Sequence, residues 1–462
     1  MNPIRLSEVA AVVGGTLHGE DVLVTAPAYI DSRAPIPGGL FVAVAGERVD
    51  GHDFAAGAHA VLGTRPTAAP TVVTDDSVAA LGRLARHQID ATSASVFALT
   101  GSQGKTGTKD YLAAVLASLA GEDAVVATRA NHNNELGVPL TVLRADDSTR
   151  HVVVEMGARG GGHIAYLCSI APPRIAAVLN VGTAHVGEFG SREAIAQAKG
   201  EIVEALDADG VAVLNADDPL VAAMARRTTA RVLTFGAEAA VRWRDVSYDA
   251  LGRPTFELGH DGAWHPVTLR QVGGHQVANA AAAAAMALAA GYDVAAVAAA
   301  LSEAEAASPM RMQLSERADG LVVVNDAYNA NPESTLAALE ALMRIASARP
   351  GGRSIAVLGE MRELGAEHEA GHRSVGAAAV ALGVDVLVVV GEQAAPVAAG
   401  AADAAGGAAS GWQGDVVVTA GREEAAAWVR QNARAEDVVL VKASRGAALE
   451  LVAQTILEGT TA

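Results

Sequence analysis

The stretch VFALTGSQGKT at residues 96–106 is the most informative local pattern in this sequence. Its apolar start predicts a buried strand, and the helical pattern YLAAVLASLA begins at Tyr111. Glycines in the loop between them let backbone N–H groups close around an anion, and the start of a helix adds positive potential. We therefore predict a phosphate loop that binds a nucleotide, rather than a plain surface turn. The residues predicted to form it are Gly101, Ser102, Gln103, Gly104, Lys105, Thr106 and Gly107.

Residues that can bind magnesium follow one another along the chain. The Thr106 hydroxyl is a candidate ligand, and the strand-like run HVVVEMG contains Glu155, whose carboxylate can meet Mg²⁺ at the edge of a parallel sheet. His185 lies on a loop after a further such run, and Lys199 lies in a helical pattern. An ordinary loop histidine and a solvated lysine are the commoner cases. Their position after a nucleotide loop and a strand-end Glu favours a role in the site.

Composition excludes several classes of function. The 462 residues carry a formal charge of −18, which disfavours binding to nucleic acid or to an anionic membrane surface. Although 51% of the residues are apolar, many of these are Ala, and we read the longest uncharged run, 271–292, as a buried helix. The first residues show no signal-peptide pattern. We expect a cytoplasmic chain with no membrane insertion.

Cysteine and lysine are both scarce. The single cysteine, Cys168, can form neither an internal disulfide nor a thiolate metal site, so any metal must have oxygen or imidazole ligands. Only four of the 34 basic residues are lysines, at positions 105, 109, 199 and 442. Because Arg cannot lose its proton and Lys can, these four positions are the first candidates for chemistry.

The pattern of strands and helices predicts an α/β protein of three domains. Short apolar runs separated by Gly and Pro indicate a small N-terminal α/β domain at 1–93. Regular alternation of strand-like and helical runs predicts a central domain at 94–309 with a parallel sheet behind the phosphate loop. Alternation resumes after the segment SPMRMQ, a predicted hinge, and indicates a Rossmann-like C-terminal domain at 310–462.

Ordered sequence blocks across nearly the whole chain resemble the Mur ligase family. They include DSRAPIPGGLFVAVAGERVDGHDF, TGSQGKTGTKD, NHNNELGVPLTVL, EMGARGGGHI, NVGTAHVGEFGS, AKGEI, NDAYNANPES, VLGEMRELG and KASR. The resemblance implies an ATP-dependent carboxylate–amine ligase of peptidoglycan precursor synthesis, and hence a part in cell wall biogenesis, cell shape and cell division. The blocks are most similar to those of members that add D-alanyl-D-alanine to UDP-N-acetylmuramoyl-tripeptide through an acyl phosphate, forming ADP and phosphate.

The resemblance leaves alternatives open. Another Mur-type amino-acid ligase or a folylpolyglutamate synthase belongs to the same class, and a nucleotide switch or adaptor belongs to a different one. The motif Asp-Asn-Pro-Arg, expected in the diaminopimelate-adding ligase, is absent from the sequence. We expect a monomer. The sequence decides neither whether the third peptide residue is lysine or meso-diaminopimelate nor whether the domains are open or closed.

The resemblance also implies roles for individual residues. It implies that the catalytic residues are Lys105, His185 and Lys199. It also implies two Mg²⁺ ions, which Mn²⁺ can replace. Their ligands would be Thr106, Glu155, His185 and a carbamate that Lys199 forms with CO₂. The residues implied for ATP beyond the loop are Asn279 at adenine, Arg311 at phosphate, Asp326 at ribose, and Tyr328 and Asn329 around adenine. Those implied for the substrates are Ser32 and Arg33 at the UDP end, Asn133, Asn134 and Glu135 at the sugar-peptide, Asn331 near the hinge, and Ser444 and Arg445 at the dipeptide. Gly107 and Gln276 depart from the residues most common in the family.

Overall fold

The computed structural model describes residues 1–46, 49–130, 132–182, 189–305, 307–407 and 411–458. Its N-terminal part forms a small α/β domain, in which the order of strands is β2-β6-β5-β4 and β1 pairs separately with β3. The strands are β1 (Ile4–Arg5), β2 (Thr16–His18), β3 (Leu23–Val24), β4 (Leu40–Val42), β5 (Ala60–Gly63) and β6 (Thr71–Val73), and the helices are Leu6–Val13 and Ser77–Asp90.

The central domain is built on a six-stranded parallel sheet of order β12-β11-β10-β7-β9-β8. Its strands are β7 (Ser95–Thr100), β8 (Val125–Ala127), β9 (His151–Glu155), β10 (Ile175–Val178), β11 (Val211–Asn215) and β12 (Arg231–Phe235). Its helices include Lys105–Ala120, Gly137–Val142, His163–Ile170, Arg192–Glu204 and Pro219–Ala222. Strand β7 lies between β9 and β10, so the loop that follows β7 opens where the strand order reverses, a common place for ligands in such sheets.

A three-stranded antiparallel sheet and an Ala-rich helix complete the central domain. The strands are β13 (Arg242–Tyr248), β14 (Pro254–His260) and β15 (Ala263–Thr268), and the helices are His275–Ala289 and Val294–Glu303. The helix His275–Ala289 is buried on nearly all sides, which confirms the interpretation of the uncharged run. Its small side chains share a core with Leu112 and Val115 of the helix Lys105–Ala120. The helix that follows the phosphate loop is therefore held by tight packing.

The C-terminal domain has a second six-stranded sheet, of order β16-β17-β21-β18-β19-β20, in which only the β16–β17 pair is antiparallel. The strands are β16 (Gln313–Glu316), β17 (Val322–Asp326), β18 (Ser354–Leu358), β19 (Val386–Val390), β20 (Asp415–Thr419) and β21 (Val438–Lys442). The helices are Pro332–Ser347, His368–Leu382, Ala395–Ala405, Arg422–Asn432 and Glu450–Leu457. The predicted α/β class, with a parallel sheet in the central domain and a Rossmann-like C-terminal domain, is confirmed. Within the described ranges no helix is long and apolar enough to span a membrane.

Candidate active site

The phosphate loop joins β7 to the helix Lys105–Ala120. Gly104 immediately precedes the helix with φ of 77°, a left-handed conformation that favours glycine. Asn180, at the end of β10, holds the loop from the side: its Oδ1 accepts a hydrogen bond from Gln103 N at 2.9 Å, and its Nδ2 donates to Gln103 O at 3.2 Å. Lys105 Nζ folds back and donates to Gly101 O at 2.6 Å. The loop is therefore preformed, with a lysine whose carbonyl partner an incoming phosphate can replace.

The predicted magnesium ligands Thr106 and Glu155 meet beside this loop. Thr106 Oγ1 donates to Glu155 Oε2 at 2.9 Å, and Asn133 Nδ2 donates to Glu155 Oε1 at 2.8 Å. Thr128 Oγ1 accepts from Glu155 N at 3.1 Å and fixes the end of β9. The side chains of Thr106 and Glu155 are both buried. The pair supplies a hydroxyl and a carboxylate at one point, which suits a hard divalent cation.

Lys199 is buried on the helix Arg192–Glu204, with only 5% of its surface exposed. Burial and the charge of Lys105 push the pKa of the Lys199 amine well below its ordinary value, while Glu155 opposes the shift. Burial also lowers the pKa of Lys105, with Glu155 opposing and Arg311 adding to the change. Lys105, Glu155 and Lys199, which follow one another along the chain, thus lie close enough in space for their charges to interact. A buried lysine with a lowered pKa is a better nucleophile than a solvated one.

Asn279 lies against the loop from the Ala-rich helix. A Cβ atom added to Gly104 would lie 2.4 Å from Asn279 Oδ1, and one added to Gly107 would lie 3.0 Å from Asn279 Nδ2. Gln276 Oε1 accepts a hydrogen bond from Asn279 Nδ2 at 3.1 Å. Gly107 and Gln276, the two departures from the family pattern, therefore both lie beside the same Asn279 amide. The absence of a side chain at Gly107 leaves room for that amide.

Asp326, the predicted ribose ligand, has partners on both carboxylate oxygens. Lys442 Nζ donates to Asp326 Oδ2 at 2.5 Å, and Met312 N donates to Asp326 Oδ1 at 3.0 Å. Lys442 also donates to Asn329 O at 2.8 Å. A ribose at this carboxylate would share it with Lys442 or displace one of these donors.

Arg311 and Tyr328 form the wall of the site on the C-terminal side. The Arg311 guanidinium carbon lies 4.2 Å from the centre of the Tyr328 ring, a cation–π contact. Arg445, which is exposed, pairs with Glu450 at 2.6 Å and contacts Met310 Sδ at 3.0 Å. Arg311, Tyr328 and Arg445 line one cavity together with Thr106.

The other predicted substrate residues lie in different surroundings. Arg33 pairs with Asp31 at 2.8 Å on the surface of the N-terminal domain, next to Ser32. The bonds to Arg33 lower the pKa of Asp31 to about 2. Asn134 Oδ1 accepts from Gly137 N at 3.0 Å, and Glu135, the neighbour of Asn134, is exposed.

Two further predicted residues are held by local hydrogen bonds, and one cannot be placed. Asn331 caps the helix Pro332–Ser347 by accepting from Ser334 N at 2.8 Å. Ser444 is buried, and its Oγ accepts from Arg362 N at 2.9 Å. His185 lies outside the described residues. In the described ranges no cluster of three or more His, Cys, Asp or Glu side chains forms a metal site. Thr106 and Glu155 fit a magnesium ion that takes its other ligands from phosphates and water.

Three residues that shape this site received no specific role from the sequence. Lys442 had a signal, since it is one of only four lysines, but its partner Asp326 is 116 positions away. Asn180 follows an apolar run in the sequence, but nothing in the sequence indicates its hydrogen bonds to the backbone of Gln103. Thr128, which fixes Glu155, had no signal beyond its place at the end of a short apolar run.

A phosphate loop at the edge of a parallel sheet, with a second α/β domain beside it, is typical of P-loop nucleotide enzymes. The chain belongs to the Mur ligase family. Residues 99–287 match the Mur ligase middle domain, and residues 310–445 match the family model described as the Mur ligase, glutamate ligase domain. The UDP-N-acetylmuramoyl-tripeptide–D-alanyl-D-alanine ligase of Mycobacterium tuberculosis strain H37Rv is 44% identical, covering 100% of this chain and 99% of that protein.

Solved structures of the same family have the same fold. A crystal structure of MurF from Acinetobacter baumannii matches with a TM-score of 0.87 and 29% identity, covering 99% of each chain. The MurF ligase of Thermotoga maritima in complex with ADP matches with a TM-score of 0.78 and 31% identity, covering 94% of this chain and 98% of that one. The likeness thus extends over all three domains.

Proposed function

We propose that this chain is an ATP-dependent ligase that joins D-alanyl-D-alanine to UDP-N-acetylmuramoyl-tripeptide in the cytoplasmic synthesis of peptidoglycan precursor. The observation that carries the proposal is the buried Thr106–Glu155 pair beside the phosphate loop. It occurs in a chain that matches a ligase of that name over its whole length. Another Mur-type amino-acid ligase is the second candidate, because the fold alone does not decide between amine substrates.

Each domain has a role in the proposed reaction. Residues 1–93 bind the UDP-sugar end, with Ser32 and Arg33 beside it. Residues 94–309 bind ATP through the loop, and residues 310–462 bring Asp326, Tyr328 and Asn329 toward the nucleotide. Arg445 receives the dipeptide carboxylate, because a guanidinium fork matches a carboxylate with two parallel hydrogen bonds.

The reaction joins a poor electrophile to an amine. An oxygen of the tripeptide's terminal carboxylate attacks the γ-phosphorus of ATP, the bond to the bridging oxygen breaks, and ADP leaves. The dipeptide amine then attacks the carbonyl carbon of the acyl phosphate, loses a proton, and inorganic phosphate leaves with the former carboxylate oxygen. Both steps bring anions together, so charge neutralisation and positioning control the barrier.

The residues of this chain meet that requirement at the loop. Lys105 exchanges its carbonyl partner Gly101 for a phosphate oxygen, and the loop amides orient the phosphate chain. Thr106 and Glu155 would hold Mg²⁺, which neutralises phosphate charge when bound. Asn133 keeps the Glu155 carboxylate oriented through its 2.8 Å hydrogen bond. Closing the C-terminal domain over the site protects the acyl phosphate from water.

Lys199 is the residue for which we propose a covalent change. Its neutral amine attacks the carbon of CO₂, a C–N bond forms, and one proton leaves the nitrogen. The product is a carbamate, an anion in place of a cation. Burial favours the neutral amine that this step needs. We propose that the carbamate and His185 hold a second Mg²⁺.

A phosphate-release assay with one substrate omitted at a time tests the function. Release should require ATP, UDP-N-acetylmuramoyl-tripeptide and D-alanyl-D-alanine together, and the product mass should increase by the dipeptide residue. Equal turnover of ATP without either peptide would favour a nucleotide switch. Turnover with a single amino acid in place of the dipeptide would favour another Mur-type ligase.

A further inference from the structure

A cavity of about 600 Å³ extends sideways from the phosphate loop. It starts at Thr106 and follows the helix Lys105–Ala120 past Ala113 and Ala117 to Glu122. Residues just after β8 and Tyr328 of the C-terminal domain also line the cavity. The cavity is therefore continuous with the metal site and extends away from it.

Two arginines on the wall of this cavity have no acidic partner among the residues that the structure describes. Arg129 follows β8, and Arg144 follows the helix Gly137–Val142. Arg144 Nη1 donates a hydrogen bond to Ala127 O at 2.8 Å. Among the described residues, no carboxylate pairs with the guanidinium of Arg129 or of Arg144. Lys109 in the same cavity differs, since it forms a buried ion pair with Asp110.

The charge of Arg129 acts on the partly buried Arg144. Burial lowers the pKa of Arg144 to about 10, and the charge of Arg129 adds to the change. Burial, Arg144 and Arg129 together lower the pKa of His132. Arg311 brings further positive charge to the lining, whereas Arg445 is paired with Glu450. Among the described lining residues, Glu122 is the only unpaired carboxylate. Arg144 is partly buried and has no counter-ion among the described residues, so an anion that joins it and the exposed Arg129 would be favourable.

We propose that Arg129 and Arg144 bind a carboxylate of the peptide substrate other than the one that reacts. The inference rests on the proposed function. In that reaction the terminal carboxylate must meet the phosphate beside Thr106, so a neighbouring part of the same peptide lies at the mouth of the cavity. Guanidinium groups pair with carboxylates through short, charge-assisted hydrogen bonds. Two sources share this chemistry: the glutamyl residue and the distal end of a diaminopimelate side chain.

Steady-state kinetics of Arg129→Gln and Arg144→Gln test the proposal. Each variant is assayed with a lysine-containing and a diaminopimelate-containing UDP-tripeptide, and with ATP and dipeptide varied in turn. We expect KM for the tripeptide to rise at least tenfold while kcat and KM for ATP stay within twofold. Arg231→Gln, an exposed arginine on β12, is the matched control.

The two peptides separate the two sources. A rise with both indicates the glutamyl carboxylate, and a rise only with diaminopimelate indicates the side chain. No change relative to Arg231→Gln, or a rise in KM for ATP or dipeptide instead, overturns the inference. Because Arg144 contacts Ala127 O, thermal melting is recorded for each variant, and the exposed Arg129 keeps the test valid if Arg144→Gln unfolds. Turnover by the unaltered enzyme tests the function separately.

Discussion

Replacing Gly104 by alanine tests the preformed phosphate loop. Gly104 has φ of 77° and ψ of −9° immediately before the helix Lys105–Ala120. An alanine there is strained by its backbone, and its Cβ would lie 2.4 Å from Asn279 Oδ1. Real Cβ atoms do not approach oxygen so closely, so either the Asn279 amide or the loop must move. Both changes disturb the surface that meets the phosphates.

The magnitude follows from two contributions. A left-handed conformation costs a non-glycine residue about 1–2 kcal/mol. Moving Asn279 breaks its hydrogen bond to Gln276, which contributes about 1 kcal/mol. We expect Gly104→Ala to lower the free energy of unfolding by about 2–3 kcal/mol. A displacement of about 1 Å in a positioning loop reduces activity by about 100-fold, equivalent to about 2.7 kcal/mol.

Gly162→Ala is the matched control. Gly162 precedes the helix His163–Ile170 with φ of 83° and ψ of −16°, and a Cβ there meets no atom within 4 Å. It should lose about 1–2 kcal/mol of stability and keep its kcat/KM for ATP. Urea unfolding and ATP kinetics are measured on both variants. Equal kcat/KM values for the two variants would show that the phosphate loop tolerates a Cβ atom at position 104.

Three further predictions concern buried groups. Lys199→Arg keeps the positive charge but cannot form a carbamate, so it should lose most activity in the phosphate-release assay. Lys199→Ala should regain part of the lost activity when short carboxylic acids are added. Full activity of Lys199→Arg would exclude the carbamate. Burial lowers the pKa of His372, whose Nε2 accepts from Met361 N at 2.9 Å. Below about pH 6.5 His372 binds a proton in the unfolded chain but not in the folded chain, so the free energy of unfolding measured in urea should fall as the pH decreases. The His372→Gln variant should show a smaller fall. Parallel pH curves for the two proteins would contradict this prediction. Burial raises the pKa of the Cys168 thiol to about 12, so a thiol reagent should label it only after unfolding, and rapid labelling of the native protein would show the burial to be wrong.

The sequence predicted the features that depend on local signals. The strand, loop and helix around Lys105 occupy adjacent positions, and the rhythm of apolar runs reports burial on both faces of a sheet. The Ala-rich run was interpretable because few charges interrupt it. These signals depend only on residues that are neighbours in the chain, so they can be interpreted without knowing how the domains pack.

The contacts within the site depend on packing between distant segments. Asn279 reaches Gly104 only because the Ala-rich helix packs beside the helix that follows the loop. Asn180 reaches Gln103 because β10 pairs with β7. Neither partner can be chosen from periodicity, since many asparagines follow strands. Pairing of this kind needs the strand order, which the sequence did not specify.

In the proposed reaction ATP activates the tripeptide's own carboxylate at the phosphate loop, so one carboxylate oxygen must pass to the released phosphate. The tripeptide is labelled with ¹⁸O in its terminal carboxylate and turned over with ATP and D-alanyl-D-alanine, and the released phosphate is analysed by mass spectrometry. Each released phosphate should carry one ¹⁸O atom from the peptide. Phosphate without the label, released at the same rate as the peptide product, would contradict it.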